Sequence, residues 1–158
     1  MIVIRPAEER DRVDLGRMAA VLVRMHHAFD PQRFLIFEPI EEGYGRWLVR
    51  ETTNEKAFVL VAEHEGKVVG YVYGTLDGRD WMALRDACGV LQDIFVDEPS
   101  RRSGVAKQLL EALSERLKER GAPRVVLSTA AKNEGAQRFF ESMGFRRTMI
   151  EMTRELEP

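Results

Sequence analysis

Residues 93–110 read DIFVDEPSRRSGVAKQLL. They close an apolar, strand-like run, Gly89–Val96, pass through a loop containing Pro99, and open a helix at Arg101–Ala106. The helix carries Ala106, Leu109, Leu110, Leu113 and Leu117 as one apolar stripe and stops at Gly121, with Pro123 just beyond. Strand, loop and helix in this order bring the unpaired backbone N–H groups of a first helical turn to one point, where the helix dipole also favours negative charge. Gly104 lets the backbone approach an anion without a Cβ in the way, Ala106 keeps the next turn small, and Arg101 and Arg102 supply charge-assisted donors. A pyrophosphate suits that point. The same hexapeptide also reads as a solvated loop entering a helix, so context must decide. No GKS or GKT stretch occurs, nor a GxGxxG after the first strand, which disfavours two common phosphate-binding designs.

The flanking sequence supplies the context. Ile2–Arg5 reads as a strand closed by Pro6, and Arg10–Met25 as a helix with Val13, Met18, Val21, Leu22 and Met25 at helical spacing. His26–Ile40 is expected to be a long ordered loop, because Asp30-Pro31 and Glu38-Pro39 interrupt it. A short helix around Tyr44, Trp47 and Leu48 follows, weakened at its start by Gly43 and Gly45. Ala57–Glu63 and Lys67–Thr75 form a hairpin about His64-Glu65-Gly66. Arg124–Thr129 is a short strand, Glu134–Met143 a helix ended by Gly144, and Phe145–Arg154 a closing strand. The order β α α β β β α β α β predicts an α/β (α+β) fold, a mixed sheet with helices on both faces.

Length and composition narrow the function. The 158 residues suit one domain, 1–158, with one core. With 24 Lys plus Arg against 26 Asp plus Glu, a nucleic-acid partner is not expected. No apolar run approaches the roughly 20 residues a membrane helix needs, and the start MIVIRPAEERD lacks a secretory apolar stretch. A cytoplasmic, non-membrane protein is therefore expected. The only cysteine, Cys88, has no partner for a disulfide or a metal cluster, and reads as a small buried or loop residue; no metal is expected.

Arg101–Ala106 matches the (Q/R)xxGx(G/A) motif of the GNAT acetyltransferase superfamily, directly after a strand ending at Val96. Asn133, Ala136, Phe139, Phe140, Gly144 and Phe145 resemble its second signature, and IRPA and EGKVVGYVYG are similar to its first strand and central hairpin. The resemblance spans nearly the whole chain. It implies a GNAT fold whose six- to seven-stranded sheet is splayed between the fourth strand, Gly89–Val96, and the fifth, Arg124–Thr129. It further implies acetyl-CoA as co-substrate, its pantetheine arm pairing with backbone near Phe95 and Val96. The pyrophosphate would rest on Arg101, Arg102, Ser103, Gly104, Val105 and Ala106, with Asn133, Ala136, Phe139 and Phe140 along the arm. The implied reaction moves an acetyl group to a primary amine of a small molecule or peptide by direct attack in a ternary complex.

Attack requires a neutral amine. A lysine-like amine of pKa about 10.4 costs roughly 4.6 kcal/mol to deprotonate at pH 7, an α-amine near 7.7 only about 1. The catalytic candidates are Asp93, to orient the ammonium or polarise a relay water, and Gln92, to hold that water; alternation places the two on opposite faces. Asp93 also reads as the partner of an arginine or a backbone amide in the sheet. Phe140 departs from the family pattern, which usually has a tyrosine proton donor there. Either the thiol, with pKa near 8.5, leaves without an acid, or Ser128, Thr129, Ser142 or a water substitutes. The alternative is a non-catalytic acyl-CoA-binding sensor or interaction module. The acceptor is expected against HHAFDPQRFLIFEPIEE, where His26 and His27 are bases or polar caps. Trp81, Met82 and Leu84 are either a homodimer surface or a loop packed on its own domain.

Overall fold

The computed structural model describes residues 1–157. Its elements are β1 (Ile2–Pro6), α1 (Arg12–Phe29), α2 (Ile40–Glu51), β2 (Ala57–His64), β3 (Lys67–Asp77), β4 (Cys88–Val96), α3 (Val105–Glu119), β5 (Val125–Leu127) and α4 (Glu134–Ser142). The strands lie side by side in chain order, antiparallel from β1 to β4 and parallel between β4 and β5. The β2–β3 hairpin turns at Glu65 and Gly66, both in the left-handed region that a two-residue hairpin loop demands. A connection through α3 makes β4 and β5 parallel, as a helical crossover requires.

Alternation along β2 and β3 sorts the core into two layers. Leu60, Ala62 and Val72 pack with Leu109, Leu110, Leu113 and Leu117 of α3, while Val59, Val61, Tyr71 and Tyr73 face Leu15, Met18 and Leu48 of α1 and α2. Cys88 is buried, in keeping with its reading as a small core residue. Trp81, Met82 and Leu84 stand out to solvent near the β3–β4 connection instead of packing on the body. No helix among the described residues is long and apolar enough to cross a membrane.

The fold class agrees with expectation, with corrections in detail. Helix α1 continues through His26 and His27 to Phe29, so the expected loop begins only at Asp30-Pro31. Helix α2 forms over Ile40–Glu51 despite its glycines because one of them is a packing residue. A Cβ on Gly45 would lie 2.6 Å from the Arg12 carbonyl oxygen, and one on Gly16 2.2 Å from that of Glu41. The two helices therefore touch backbone to backbone, and the local helix penalty of glycine is outweighed by close approach.

The expected closing strand, Phe145–Arg154, does not form, and the sheet has five strands, not six or seven. A strand needs a partner ladder, and three side-chain ties hold this segment elsewhere. Phe145 packs on Phe140, Arg147 donates to Gln137 and Glu141 of α4, and Arg33 pairs with Glu151. The expected splay is present: β4 and β5 pair only over Gly89–Leu91 and Val125–Leu127.

Replacing Gly16 by Val should lower unfolding stability by about 1–3 kcal/mol through overpacking at this helix contact. Urea unfolding followed by circular dichroism measures it, and an unchanged midpoint would contradict the close approach.

Candidate active site

The site grows from an irregularity in β4. Tyr73 stands opposite Asp93 and Gly74 opposite Leu91, so Gln92 is an extra residue with no partner on β3. Such a bulge shifts the alternation by one residue. Leu91, Ile94 and Val96 consequently lie with the α3 layer, while Phe95 joins the α1–α2 layer. Asp93 turns to that second side as well, accepting from the Tyr71 hydroxyl at 3.2 Å. Gln92 donates through Nε2 to Thr75 Oγ1 at 3.0 Å, and Thr75 shares strand parity with Tyr71 and Tyr73. The expectation that Gln92 and Asp93 occupy opposite faces is thus corrected: both reach toward the α1–α2 side, because the bulge cancels the alternation between them.

Asp93 sits among poor solvating groups. Burial holds its carboxyl above the ordinary aspartate range, with the Tyr71 hydroxyl and His26 pulling it partly back. The phenols answer in kind. Burial and the Asp93 charge push Tyr71 and Tyr44 upward, so both stay protonated donors. Among the described residues no arginine or lysine pairs with Asp93, which disfavours its reading as one half of a structural ion pair.

A second carboxylate faces the same layer. Glu51 is 8% exposed and accepts from the Tyr73 hydroxyl at 2.7 Å and from Asn54 Nδ2 at 3.3 Å, without a cationic partner. The contrast is Asp11, also buried, which Arg5 grips with two nitrogens at 2.8 and 2.9 Å. Sequence reasoning missed Glu51. Its signal was Ile40, Tyr44, Leu48 and Glu51, one stripe at helical spacing that ends on a charged residue. Both histidines spend Nδ1 on carbonyls, His26 on Leu22 and His27 on Phe34, each at 2.8 Å.

Beyond Val96 the chain turns sharply before α3. Arg102 (φ 67°) and Gly104 (φ 82°) both adopt left-handed backbone, and Val105 then enters α3. A left-handed residue followed by a right-handed one turns successive N–H groups toward one side, forming a nest. Among the described residues, none of the N–H groups from Arg102 to Lys107 donates to a protein acceptor. The space before Gly104 is open, with nothing within 4 Å of where a Cβ would stand. These features fit a pyrophosphate. Ser103 spends its hydroxyl on the Ser100 carbonyl, and Arg101 turns back, donating from Nε to the Val96 carbonyl at 2.9 Å with its guanidinium 5.4 Å from the Phe95 ring centre. Arg17 fixes the loop's root by binding both oxygens of Asp97 at 2.9 and 3.0 Å.

The second motif lies on α4. Asn133 caps the helix, accepting from the Ala136 N–H at 3.1 Å, which accounts for its position before a small residue. Phe140 is buried in the α3 layer between Phe139 and Phe145. Among the substitute acids, Ser142 spends its hydroxyl on the Phe139 carbonyl.

The profile of the acetyltransferase (GNAT) family matches residues 22–145, and the chain belongs to that family. It is 30% identical to N-alpha-acetyltransferase 30 of Schizosaccharomyces pombe over 112 residues, which is 70% of this chain and 73% of that protein. It is 39% identical to human N-acetyltransferase 8 over 88 residues, 56% of this chain but only 38% of that longer relative. A tetramutant of the BH1408 protein from Bacillus halodurans has the same fold, with a TM-score of 0.85 at 24% identity over 98% of this chain and 99% of that one. AAC(6')-Iy in complex with the bisubstrate analog CoA-S-monomethyl-acetylneamine superposes with a TM-score of 0.71 at 17% identity, covering 100% of this chain and 99% of that one.

A carboxyl whose folded pKa lies above its unfolded value makes ionisation destabilising. Native stability is therefore lost as pH rises from about 3.9 through the folded value, and the loss is complete above it. Asparagine keeps an acceptor for Tyr71 and removes the charge. Asp93→Asn should melt at a higher temperature than the wild type at pH 7, with the gain vanishing as pH falls toward 4. Equal melting temperatures across that range would deny the burial.

Proposed function

We propose that the chain transfers an acetyl group from acetyl-CoA to a primary amine of a cationic small molecule or peptide, by direct attack in a ternary complex. The observation that carries this reading is Asp93, a carboxylate set at a β4 bulge with no arginine or lysine partner among the described residues, on the strand that leads into the turn before α3. A buried charge lacking a counter-ion is costly, and a ligand ammonium is the group that would relieve it.

In this reading the N–H groups from Arg102 to Lys107 hold the pyrophosphate, and Arg102, which is exposed, adds charge. Arg101 swings from the Val96 carbonyl to the anion, freeing that carbonyl for the pantetheine arm. Past Leu91 the β5 side of β4 is unpaired, which leaves the backbone groups of Ile94 and Val96 for the same arm, while those of Phe95 face β3. Asp93 receives the proton of the incoming ammonium, directly or through a water held by Gln92. Its raised pKa narrows the gap to an amine and makes it a better base than an ordinary aspartate. Glu51, acting through Tyr73, adds negative potential beneath the acceptor. Phe140 offers no proton, so the thiol departs unassisted or takes a proton from water, which its pKa near 8.5 permits.

Thiol release from acetyl-CoA, followed across polyamines, amino acids, aminoglycosides and peptides, tests the reaction. Turnover confined to cationic acceptors is expected. Tight acetyl-CoA binding with no turnover across the panel would favour the sensor reading that Phe140 motivates. Asp93→Asn should lower kcat by about 10² to 10⁴, while Glu51→Gln should raise KM for the acceptor about tenfold with a smaller change in kcat. Gly104→Val, or Glu at both Arg101 and Arg102, should weaken acetyl-CoA binding at least about tenfold by calorimetry. Unchanged affinity would displace the phosphate from this turn.

A further inference from the structure

Asp93 and Glu51 each accept from one tyrosine of β3. Asp93 takes the Tyr71 hydroxyl at 3.2 Å and Glu51 the Tyr73 hydroxyl at 2.7 Å. Tyr71 and Tyr73 are two residues apart on one strand, so they point to the same face about 7 Å apart along it. The Tyr73 phenol feels both acids. Burial first, then its bond to Glu51 and the Glu51 charge, and last the Asp93 charge push it upward, so it stays a protonated donor in the field of the pair.

Neither carboxylate is filled. Glu51 uses only Oε2, for Tyr73 and Asn54, and among the described residues its Oε1 accepts no hydrogen bond. Asp93 likewise uses only Oδ2. Glu51 is 8% exposed, yet the cation next to it in the chain goes elsewhere: Arg50 lies over the Trp47 ring, 5.2 Å from its centre. An ionised carboxylate has room for about four donors, and one buried without a cation is costly unless a ligand completes it. The walls suit a cation too. Tyr44 feels the Asp93 charge, Trp47 lies close enough to act on the Tyr73 phenol, and aromatic faces attract ammonium groups. The α1–α2 side of the sheet thus offers two anionic seats, one strand step apart, on an aromatic face.

We infer that the acceptor is a terminal diamine, an unbranched chain with a primary ammonium at each end, whose reacting nitrogen sits at Asp93 while its distal ammonium sits on Glu51. This inference rests on the acetyl-transfer reading and names its substrate class. With bonds of about 1.5 Å, about four or five methylenes cover the step between the two seats. The reacting ammonium gives one proton to Asp93, directly or through water, and its nitrogen then bonds to the acetyl carbon. The C–S bond breaks, the sulfur keeps the electron pair, and the nitrogen's second proton leaves to that thiolate or to water. The products are the CoA thiol and a monoacetylated diamine that is still cationic at the Glu51 end. A monoamine fills one seat and leaves Glu51 without a counter-ion.

Thiol release from acetyl-CoA, compared between terminal diamines of increasing chain length and the monoamines of equal length, tests the assignment. For the wild type, kcat/KM should peak at about four or five methylenes and exceed that of the matching monoamine at least about tenfold. Glu51→Gln, checked for folding by far-UV circular dichroism, should abolish that advantage, chiefly through KM for the diamine. The wild-type length series decides by itself where the variant does not fold. Turnover of other amines with no diamine advantage, or with no optimum near that length, would overturn the inference and leave acetyl transfer standing. A diamine advantage that survives in folded Glu51→Gln would overturn the Glu51 seat. No turnover with any amine would overturn this inference and the acetyl-transfer reading together.

Discussion

Strand β4 has a neighbour on both sides only as far as Leu91. Up to that point β3 and β5 saturate its backbone; from Gln92 onward β3 alone remains, and the β5 side of the strand is open. The arrangement follows from lengths. A nine-residue β4 lies beside a three-residue β5, and after Leu127 the chain turns away toward α4. The open stretch of β4 therefore runs on into the turn of left-handed Arg102 and Gly104 beyond Val96.

The bulge at Gln92 acts at the point where the pairing ends. It rotates Asp93 out of the α3 layer, where a carboxylate would meet leucines, and into the layer that holds Tyr71, Tyr44 and His26. One inserted residue thereby moves a carboxylate from a layer of leucines to one that offers it a hydroxyl donor. The α1–α2 pair closes over the same side. Because Gly16 and Gly45 let those helices approach backbone to backbone, Glu51 comes within reach of Tyr73. Two carboxylates without cationic partners in one layer are hard to explain by stability alone. Asp11, buried and doubly bonded to Arg5, shows how the same chain treats a carboxylate whose role is structural.

The GNAT family profile and the structural likenesses agree with this architecture across nearly the whole chain. They bear on the class of reaction and on the fold. The acceptor is a separate matter, since structures named as a ribosomal-protein-alanine N-acetyltransferase and an aminoglycoside N-acetyltransferase share the same fold.

Much was legible from residues alone. The apolar stripe of α3, the β2–β3 hairpin and the turn from Arg101 to Ala106 are local features, dictated by spacing and glycine conformation within a few residues. Their physics does not depend on what lies across the core. Three things required the third dimension. The bulge depends on how β3 registers with β4, so no pattern within β4 could reveal that Gln92 and Asp93 reach the same side. The burial of Glu51 depends on a helix contact set by two glycines that propensity alone counted against α2. The loss of the last strand depends on whether a β-prone segment finds an edge to pair with. Propensity is a property of the segment, whereas pairing is a property of its neighbours.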